Sequence, residues 1–203
     1  MEKFEKAQPH IYRLKIPFDT VYTSVFLIQA GVEYAILDCA ATEQDVSAYI
    51  IPALKEKGIN TGEIKYILLS HHHNDHAGGL PFLAAACPRA EIVTDIRKLF
   101  DGVITYPMAG HTLDCIGVLD MRTKTLISAD GIQGYGVDKY RCTTHDPQAY
   151  MQTLEKIRLD TRIENILFSH AYEPWKKDCA LGRKELEKCL QDSIDYIIKE
   201  NVL

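Results

Sequence analysis

Four histidines, one asparagine and one aspartate occupy the six consecutive positions from His71 to His76. They follow residues 66–70, an apolar run that predicts a buried strand, and loops at strand ends commonly carry binding groups on a rigid support. In an extended chain His71 and His73 project to the same side while His72 points away, because side chains alternate with a period of two. Two imidazoles on one side of the chain can bind one metal ion. The segment therefore predicts a metal site.

A second ion is expected close to the first. If the chain turns into a helix after His73, then Asp75 and His76 present a carboxylate and an imidazole to that ion. Imidazole and carboxylate ligands without thiolates suit zinc, and also iron or manganese. We therefore predict two divalent metal ions, with zinc favoured. The remaining histidines His10, His72 and His145 are interpreted as ordinary polar residues.

The pattern His71-x-His73-x-Asp75-His76, followed by Gly78-Gly79, resembles the signature of the metallo-β-lactamase fold superfamily. Members of that family add a histidine in a Gly-His-Thr turn, a bridging aspartate after a strand, and a last histidine at the end of a late strand. The matching positions here are Gly110-His111-Thr112, Asp130 after residues 126–129, and His170 after residues 166–169.

The resemblance implies a complete set of seven ligands. The first metal ion would take His71, His73 and His111, the second would take Asp75, His76 and His170, and Asp130 would bridge the two. Asp38, at the end of an early strand, resembles the aspartate that supports the histidine loop through hydrogen bonds in this family, and metal-bound histidines need such orienting partners.

The implied fold class is α/β (α+β): an αββα sandwich of two mixed β-sheets packed face to face, with helices outside, in a single domain over residues 1–203. Hydrophobic periodicity and turn residues predict the individual elements. The predicted strands are 11–16, 21–29, 33–37, 66–70, 91–94, 103–106, 116–121, 125–128 and 165–169. The predicted helices are 43–57, a short one from 78–79 to near 88, a brief one at 95–100, 148–158 and 183–200.

Composition narrows the choice of partners. The chain has 203 residues and a net charge of −5, and its longest basic clusters are pairs, which argues against nucleic acid because phosphate binding needs clustered cations. Neither the N-terminus nor a later stretch resembles a signal peptide or a membrane span, so we expect a cytoplasmic protein that does not bind membranes. The six cysteines form no CxxC pair, and we interpret them as mostly buried thiols. The oligomeric state is not specified by the sequence.

The resemblance implies an enzyme, a metal-dependent hydrolase of a small molecule. We hypothesise that a hydroxide bridging the two ions attacks an electrophilic carbon while Asp75 orients it. Asp130 as the bridging ligand resembles the thioesterase and lactonase branch, so an ester, thioester or lactone is the predicted substrate, and a phosphodiester or a β-lactam is the alternative. Tyr135, five positions after Asp130, is a candidate for oxyanion stabilisation by analogy with lactonase relatives. Further candidate substrate contacts are Gln133, Tyr140, Tyr172 and Trp175.

Two departures from the family leave the substrate open. Ala109 stands where many relatives have proline, and the interval from His73 to His111 is 38 positions (111 minus 73), which is short for the family. Only 33 residues follow His170 (203 minus 170), which leaves little room for the helical substrate domain of the glyoxalase II type. Two other classes of function compete with hydrolysis. The diiron redox branch carries glutamate where this chain has His73, and a non-catalytic metal-binding protein would be expected to have lost ligands.

Overall fold

The structure is a computed structural model, and it describes residues 3–132, 145–171 and 177–199. The chain divides into two compact units, Met1–Asp95 and Ile96–Leu203. Each unit contains one six-stranded mixed β-sheet. The assignment of residues 1–203 to a single domain stays a prediction.

The sheet of the first unit follows chain order, β1-β2-β3-β4-β5-β6. Neighbours are antiparallel up to β4, and the pairs β4–β5 and β5–β6 are parallel. The strands span Glu5–Gln8 (β1), Ile11–Phe18 (β2), Val21–Ala30 (β3), Glu33–Leu37 (β4), Ile64–Leu68 (β5) and Glu91–Val93 (β6). Strand β5 is thus paired on both sides, and it leads directly into the histidine segment.

The helices of the first unit pack on one face of this sheet. A continuous helical stretch runs through Glu43–Asp45 (α1), a π-helical segment Val46–Ile50, and Ile51–Glu56 (α2). The unit also contains a 3-10 turn at Thr61–Glu63 and two short helices, Asn74–Ala77 (α3) and Leu80–Ala86 (α4). The buried core joins side chains of the sheet and the helices, among them Leu14, Leu27, Ile36, Ile67, Val46, Ile50, Leu54 and Leu83. Burial of these side chains is the main contribution that fixes the sheet to its helices.

The second unit has the sheet order β12-β11-β10-β9-β8-β7, in which only β10 and β11 are parallel. The strands span Lys98–Phe100 (β7), Val103–Pro107 (β8), Ile116–Asp120 (β9), Thr125–Ala129 (β10), Asn165–Phe168 (β11) and Cys179–Leu181 (β12). Helices Pro147–Leu159 (α5) and Arg183–Lys199 (α6) bury Tyr150, Leu154, Leu186 and Leu190 against Leu126, Ile166 and Phe168.

Most predicted elements are confirmed, with boundaries that differ by a few residues. The predicted helix at 95–100 is wrong, because Lys98–Phe100 forms strand β7 antiparallel to β8. The reason is the Asp101-Gly102 turn, where Gly102 has φ of 75°, a conformation that connects hairpin strands. The sequence reading also missed the edge strands β1 and β12.

Two further expectations concern the cysteines and the membrane. Cys39, Cys87, Cys115 and Cys189 are buried free thiols, as predicted, and Cys179 is half-buried. Burial raises the pKa of the Cys87 thiol to about 11, which makes this side chain a poor nucleophile near neutral pH. Of the helices that the structure describes, none is both long enough and apolar enough to span a bilayer.

The carboxylate of Asp160, just after α5, accepts hydrogen bonds from several groups. Asp160 follows Leu159, and its carboxylate accepts hydrogen bonds from the backbone N–H and the guanidinium of Arg162, at 3.0 and 2.6 Å. It also accepts one from the Tyr106 hydroxyl at 3.3 Å. These contacts, the Arg162 side chain first, lower the pKa of Asp160, while burial and the nearby carboxylate raise the pKa of Tyr106 to about 12.

This carboxylate predicts a pH-dependent contribution to stability. Asp160→Asn should lower the free energy of unfolding at neutral pH by about 1.5 kcal/mol, the size of a charge-assisted hydrogen bond. Because the folded-state pKa lies below the unfolded value, the contribution is present above the unfolded pKa and is lost as the pH falls through the folded one. Urea unfolding of both proteins should therefore give curves that converge below about pH 4. The control Asp192→Asn removes an exposed pair with Lys188 and should change little. A difference between Asp160→Asn and wild type that persists undiminished in acid would contradict this account.

Candidate functional site

The predicted ligands of the first unit lie in the loop after β5 and in α3. Helix α3 begins at Asn74, and the backbone N–H groups of His76 and Ala77 donate to the His73 carbonyl at 3.0 and 2.9 Å. This tight turn brings His76 back against His71, with ring centroids 4.3 Å apart. Three histidines that are spread over six positions in the sequence are therefore neighbours in space.

The ligand atoms of this loop face one another in two pairs. His71 Nε2 lies 3.0 Å from His73 Nδ1, and His76 Nε2 lies 3.3 Å from Asp75 Oδ2. The first pair agrees with the expectation that alternate residues project to the same side. His71 and His76 are buried, Asp75 is half-buried, and His73 is exposed together with His72. Part of the loop is thus fixed in the core and part is open to solvent.

Asp38 is the buried group that organises this loop. It follows β4, and its carboxylate accepts hydrogen bonds from the backbone N–H of Ser70 at 2.8 Å and from the Ser70 hydroxyl at 2.9 Å. Its Oδ2 lies 2.7 Å from His76 Nδ1. All three residues are fully buried. The contact with Nδ1 leaves Nε2 as the ring atom that His76 presents toward Asp75.

The glycine pair after the histidines is required by close backbone packing. A Cβ at Gly78 would stand 2.0 Å from the carbonyl oxygen of Ala41, and one at Gly79 would stand 2.0 Å from that of Cys39. Backbone hydrogen bonds hold the two segments together, from Cys39 N–H to the His76 carbonyl at 2.8 Å and from Gly79 N–H to the Ala40 carbonyl at 3.0 Å. The loop after β4 therefore lies directly against α3, which only glycine permits.

Adding one methyl group at this contact should disrupt the unit. Gly79→Ala is expected to lower the free energy of unfolding by about 3 kcal/mol or more, because a backbone carbonyl cannot move away as a flexible side chain can. The matched control is Gly62→Ala, whose Cβ would meet nothing within 4 Å and which should change stability by less than about 1 kcal/mol. Urea unfolding of the two variants measures the difference, and equal losses would show that the close contact is not the cause.

The second unit places two predicted ligands, both histidines, around the carboxylate of the third, Asp130. His111 Nε2 lies 3.7 Å from Asp130 Oδ2, and His170 Nε2 lies 3.2 Å from Asp130 Oδ1. All three residues are buried. Each oxygen of Asp130 thus faces a different histidine, an arrangement suited to a carboxylate that bridges two cations.

Parallel pairing and a tight turn bring Asp130 and His170 together. Each follows one strand of the parallel pair β10 and β11, and the Ser128 hydroxyl ties these strands by donating to the Leu167 carbonyl at 3.1 Å. Ala129 adopts φ of 48° just before Asp130. Because carboxyl ends of parallel strands lie at the same edge of a sheet, these two side chains meet there.

Helix α5 positions the Gly-His-Thr turn. The Thr153 hydroxyl donates to the Ala109 carbonyl at 2.7 Å, and Asp146 N–H donates to the Gly110 carbonyl at 2.9 Å. Gly110 has φ of 143°, and a Cβ there would lie 2.6 Å from the Tyr150 backbone. Ala109, where many relatives have proline, is thus held by a hydrogen bond to its carbonyl, and the turn that carries His111 keeps its place without a proline ring.

Two residues at the site were missed in the sequence reading. The Thr23 hydroxyl in β3 donates to Asp75 Oδ2 at 3.1 Å, and the Ser70 hydroxyl lies 2.9 Å from His71 Nδ1. Ser70 carries a signal, since it is a polar residue at the end of an apolar strand and next to a predicted ligand. Thr23 carries none, because it stands 52 positions from Asp75 inside an ordinary strand.

Several predicted contacts lie outside the described residues. These are the oxyanion candidate Tyr135 and the substrate candidates Gln133, Tyr140, Tyr172 and Trp175. Their roles stay predictions. All seven predicted metal ligands and Asp38 lie within the described residues.

Known proteins resemble this chain in sequence and in fold. Residues 18–99 match the sequence profile of the metallo-β-lactamase superfamily. An atrochrysone carboxyl ACP thioesterase of Pseudocercospora fijiensis is 27% identical over 130 residues, which are 56% of this chain and 38% of that protein. A hydroxyacylglutathione hydrolase of Enterobacter is 39% identical over 54 residues, which are 27% of this chain and 20% of that protein.

The structural likeness covers nearly the whole chain. The metallo-β-lactamase FIM-1 of Pseudomonas aeruginosa, solved in a mono-zinc form, superposes with a TM-score of 0.72 at 16% identity, over 96% of each chain. At this identity the likeness shows the fold alone, and that fold is of the predicted αββα class. The chain spans less than two thirds of the length of the two curated relatives above. The predicted resemblance is confirmed: the chain has the metallo-β-lactamase fold, and residues 18–99 carry the sequence pattern of the metallo-β-lactamase superfamily.

Proposed function

We propose that this protein is a metal-dependent hydrolase that cleaves an ester, thioester or lactone bond in a small molecule, with zinc as the favoured metal. The observation that carries the proposal is the pairing of ligand atoms in each unit, with Asp130 facing His111 and His170, and His71 facing His73. Each pair combines imidazole with imidazole or carboxylate, which is the donor chemistry of hydrolytic zinc sites.

The separations of these atoms suit a bound metal ion. Zinc bonds to imidazole nitrogen at about 2.0 to 2.1 Å, so two ligands of one tetrahedral ion lie about 3.3 Å apart. The separations in the structure are 3.0 Å between His71 Nε2 and His73 Nδ1, and 3.3 Å between His76 Nε2 and Asp75 Oδ2. The donor set therefore fits the group that the family implies.

We propose seven ligands, assigned as the resemblance implies. One ion would be held by His71, His73 and His111, the other by Asp75, His76 and His170, and Asp130 would serve both. When bound, such ions lower the pKa of water and polarise a carbonyl oxygen. A cytoplasmic location remains a prediction. That the protein binds neither nucleic acid nor membranes also remains a prediction.

Hydrogen bonds from other residues of the protein position and orient the proposed ligands. Asp38 fixes the ring plane of His76, and it fixes His71 through the Ser70 hydroxyl. Thr23 holds Oδ2 of Asp75, which restrains the carboxylate that we propose to orient the attacking water. In the reaction, water adds to the carbonyl carbon, the bond from that carbon to oxygen or sulfur breaks, and a carboxylic acid and an alcohol or thiol are released.

The relatives and the ligand types support the proposed substrate class. One of the two relatives described above is named a thioesterase and the other a hydroxyacylglutathione hydrolase, which supports a thioester first and an oxygen ester or lactone next. The likeness to β-lactamases is one of fold and does not favour a β-lactam, and phosphodiesters stay an alternative. A redox role is disfavoured because His73 occupies the position where the diiron branch carries glutamate.

A substrate panel with metal analysis tests the proposal. Purified protein should contain about two divalent ions per chain and should hydrolyse thioesters, aryl esters or lactones more readily than a phosphodiester or a β-lactam. Treatment with a chelator should abolish activity, and zinc should restore it. Asp130→Asn should lose at least about a hundredfold in kcat.

The control for this substitution is Asp120→Asn, which changes a buried aspartate whose partner is Arg122 and not a predicted ligand. Its specific activity per folded molecule should stay near the wild-type value. Hydrolysis that survives complete removal of metal would refute the proposed chemistry, and metal-loaded protein that hydrolyses no member of the panel would favour a non-catalytic metal-binding role.

The contact of Asp38 with His76 gives a separate prediction about metal affinity. Asp38→Asn keeps the size of the side chain and tolerates the positive φ of 68° at this position, as asparagine commonly does. It removes the charge that orients His76, so zinc affinity should fall by about 10- to 100-fold. Competition with a zinc-binding dye measures this directly. The control Asp101→Asn changes a fully exposed aspartate and should bind zinc as the wild type does; equal affinity in both variants would show that Asp38 has no orienting role.

A further inference from the structure

Thr23 interrupts a row of apolar side chains on strand β3. Val25 and Leu27, two and four positions further along, lie in the core that joins the sheet to its helices, and side chains two positions apart on a strand project to the same face. Ile16, which pairs with Thr23 across the hairpin, lies in the same core. Thr23 itself is 1% exposed. A hydroxyl group therefore occupies a buried position that suits an apolar β-branched side chain.

A buried hydroxyl requires a hydrogen-bond partner, because burying it without one costs free energy. The partner of Thr23 is the carboxylate of Asp75, one of the proposed ligands, whose Oδ2 accepts a hydrogen bond from the hydroxyl at 3.1 Å. The side chain of Asp75 is 15% exposed and belongs to α3, a helix of four residues. This hydrogen bond ties a short helix to a strand that is paired on both sides.

The hydrogen bond favours one oxygen of Asp75 at the position beside His76. Oδ2 lies 3.3 Å from Nε2 of His76, and His76 presents this atom because its Nδ1 lies 2.7 Å from Asp38. The terminal torsion of an aspartate side chain is soft, so the two carboxylate oxygens exchange places readily unless a donor holds one of them. The Thr23 hydroxyl holds the oxygen that lies at a suitable separation from Nε2 for two ligands of one ion.

We propose that Thr23 is a positioning residue that sets the affinity for the metal ion assigned above to Asp75 and His76. The proposal rests on the proposed function and deepens it, since occupancy by one of the two ions then depends on a strand residue outside the histidine segment. The hydroxyl directs Asp75 Oδ2 toward the position of that ion. Valine would fill the same space in the core, so the hydroxyl serves the ligand rather than the fold.

Two substitutions at this position separate metal binding from folding. Thr23→Val keeps the shape of the side chain and removes the donor, and it should weaken the binding of one of two zinc ions by about tenfold or more. Thr23→Ser keeps the donor and removes a buried methyl group, and it should bind both ions as the wild type does. Competition with a zinc-binding dye, fitted with two dissociation constants, measures these affinities.

Unfolding of the metal-free proteins in urea gives a second readout that depends on neither metal nor activity. Thr23→Val should unfold at a higher urea concentration than Thr23→Ser, because valine retains the buried volume among apolar neighbours, whereas serine leaves a gap. The two variants are thus expected in opposite order for stability and for zinc affinity. A role of Thr23 in packing alone would put them in the same order.

The matched control is Thr125→Val, which removes the hydroxyl of another buried strand threonine. That hydroxyl donates to the Thr123 carbonyl at 3.2 Å, and the control should bind both ions as the wild type does. The role of Thr23 would be overturned if Thr23→Val bound both ions as tightly as the wild type. It would also be overturned if Thr23→Ser lost as much affinity as Thr23→Val.

The same measurements separate failure of this role from failure of the proposed function. If the wild type binds two zinc ions and the variants differ as expected, but no member of the substrate panel is hydrolysed, the hydrolase activity is refuted and the role of Thr23 is retained. If the wild type is a zinc-dependent hydrolase and Thr23→Val binds zinc as the wild type does, the role of Thr23 alone is refuted. A wild type that binds no zinc would refute both.

Discussion

The buried carboxylate of Asp38 is the constraint on which the histidine loop depends. A carboxylate without partners is costly to bury, so it stays in the core only where donors surround it. Here the donors are the Ser70 N–H, the Ser70 hydroxyl and the ring of His76. These contacts join the end of β4, the end of β5 and helix α3 at one point. A displacement of any of the three would leave the buried charge unsatisfied, and the position of His76 is therefore coupled to the fold of the whole sheet.

The two units position a buried carboxylate at the end of a strand in similar ways. In each, a carboxylate stands just beyond a strand, and a residue other than glycine adopts a positive φ there: Asp38 itself at 68° and Ala129, just before Asp130, at 48°. Such conformations cost about 1 to 3 kcal/mol and persist only where the surroundings enforce them. Around Ala129 the enforcing contacts are those of the Ser128 hydroxyl with three backbone carbonyls. Strain of this kind aims a side chain in a direction that a regular strand would not allow.

Much of this arrangement could be predicted from the sequence because the signals are local. His71 to His76 are contiguous, and Asp130 and His170 each follow an apolar run, so periodicity and spacing locate them. Thr23 could not be found in this way, since its contact with Asp75 depends on the register of a hairpin far away in the chain. The edge strands β1 and β12 could not be predicted for a similar reason. Strands of three or four residues carry little periodicity, and their conformation depends on the neighbouring strand with which they pair. Lys98–Phe100 is a strand because the Asp101-Gly102 turn brings it against β8, a pairing that local spacing does not show.

The burial of the loop suggests how it would respond to a metal ion. His71 and His76 are buried and contact Ser70 and Asp38, whereas His73 is exposed and its Nδ1 lies 3.0 Å from His71 Nε2. In the proposed function, the buried ligands supply preorganisation and His73 supplies an adjustable ligand at the solvent side. Metal binding would then stabilise the loop through mass action on the folded state, while most of the loop geometry is already set by Asp38 and the glycine pair. Because that scaffold is held by hydrogen bonds and close packing within the chain, the loop that carries the proposed ligands is arranged by the fold itself.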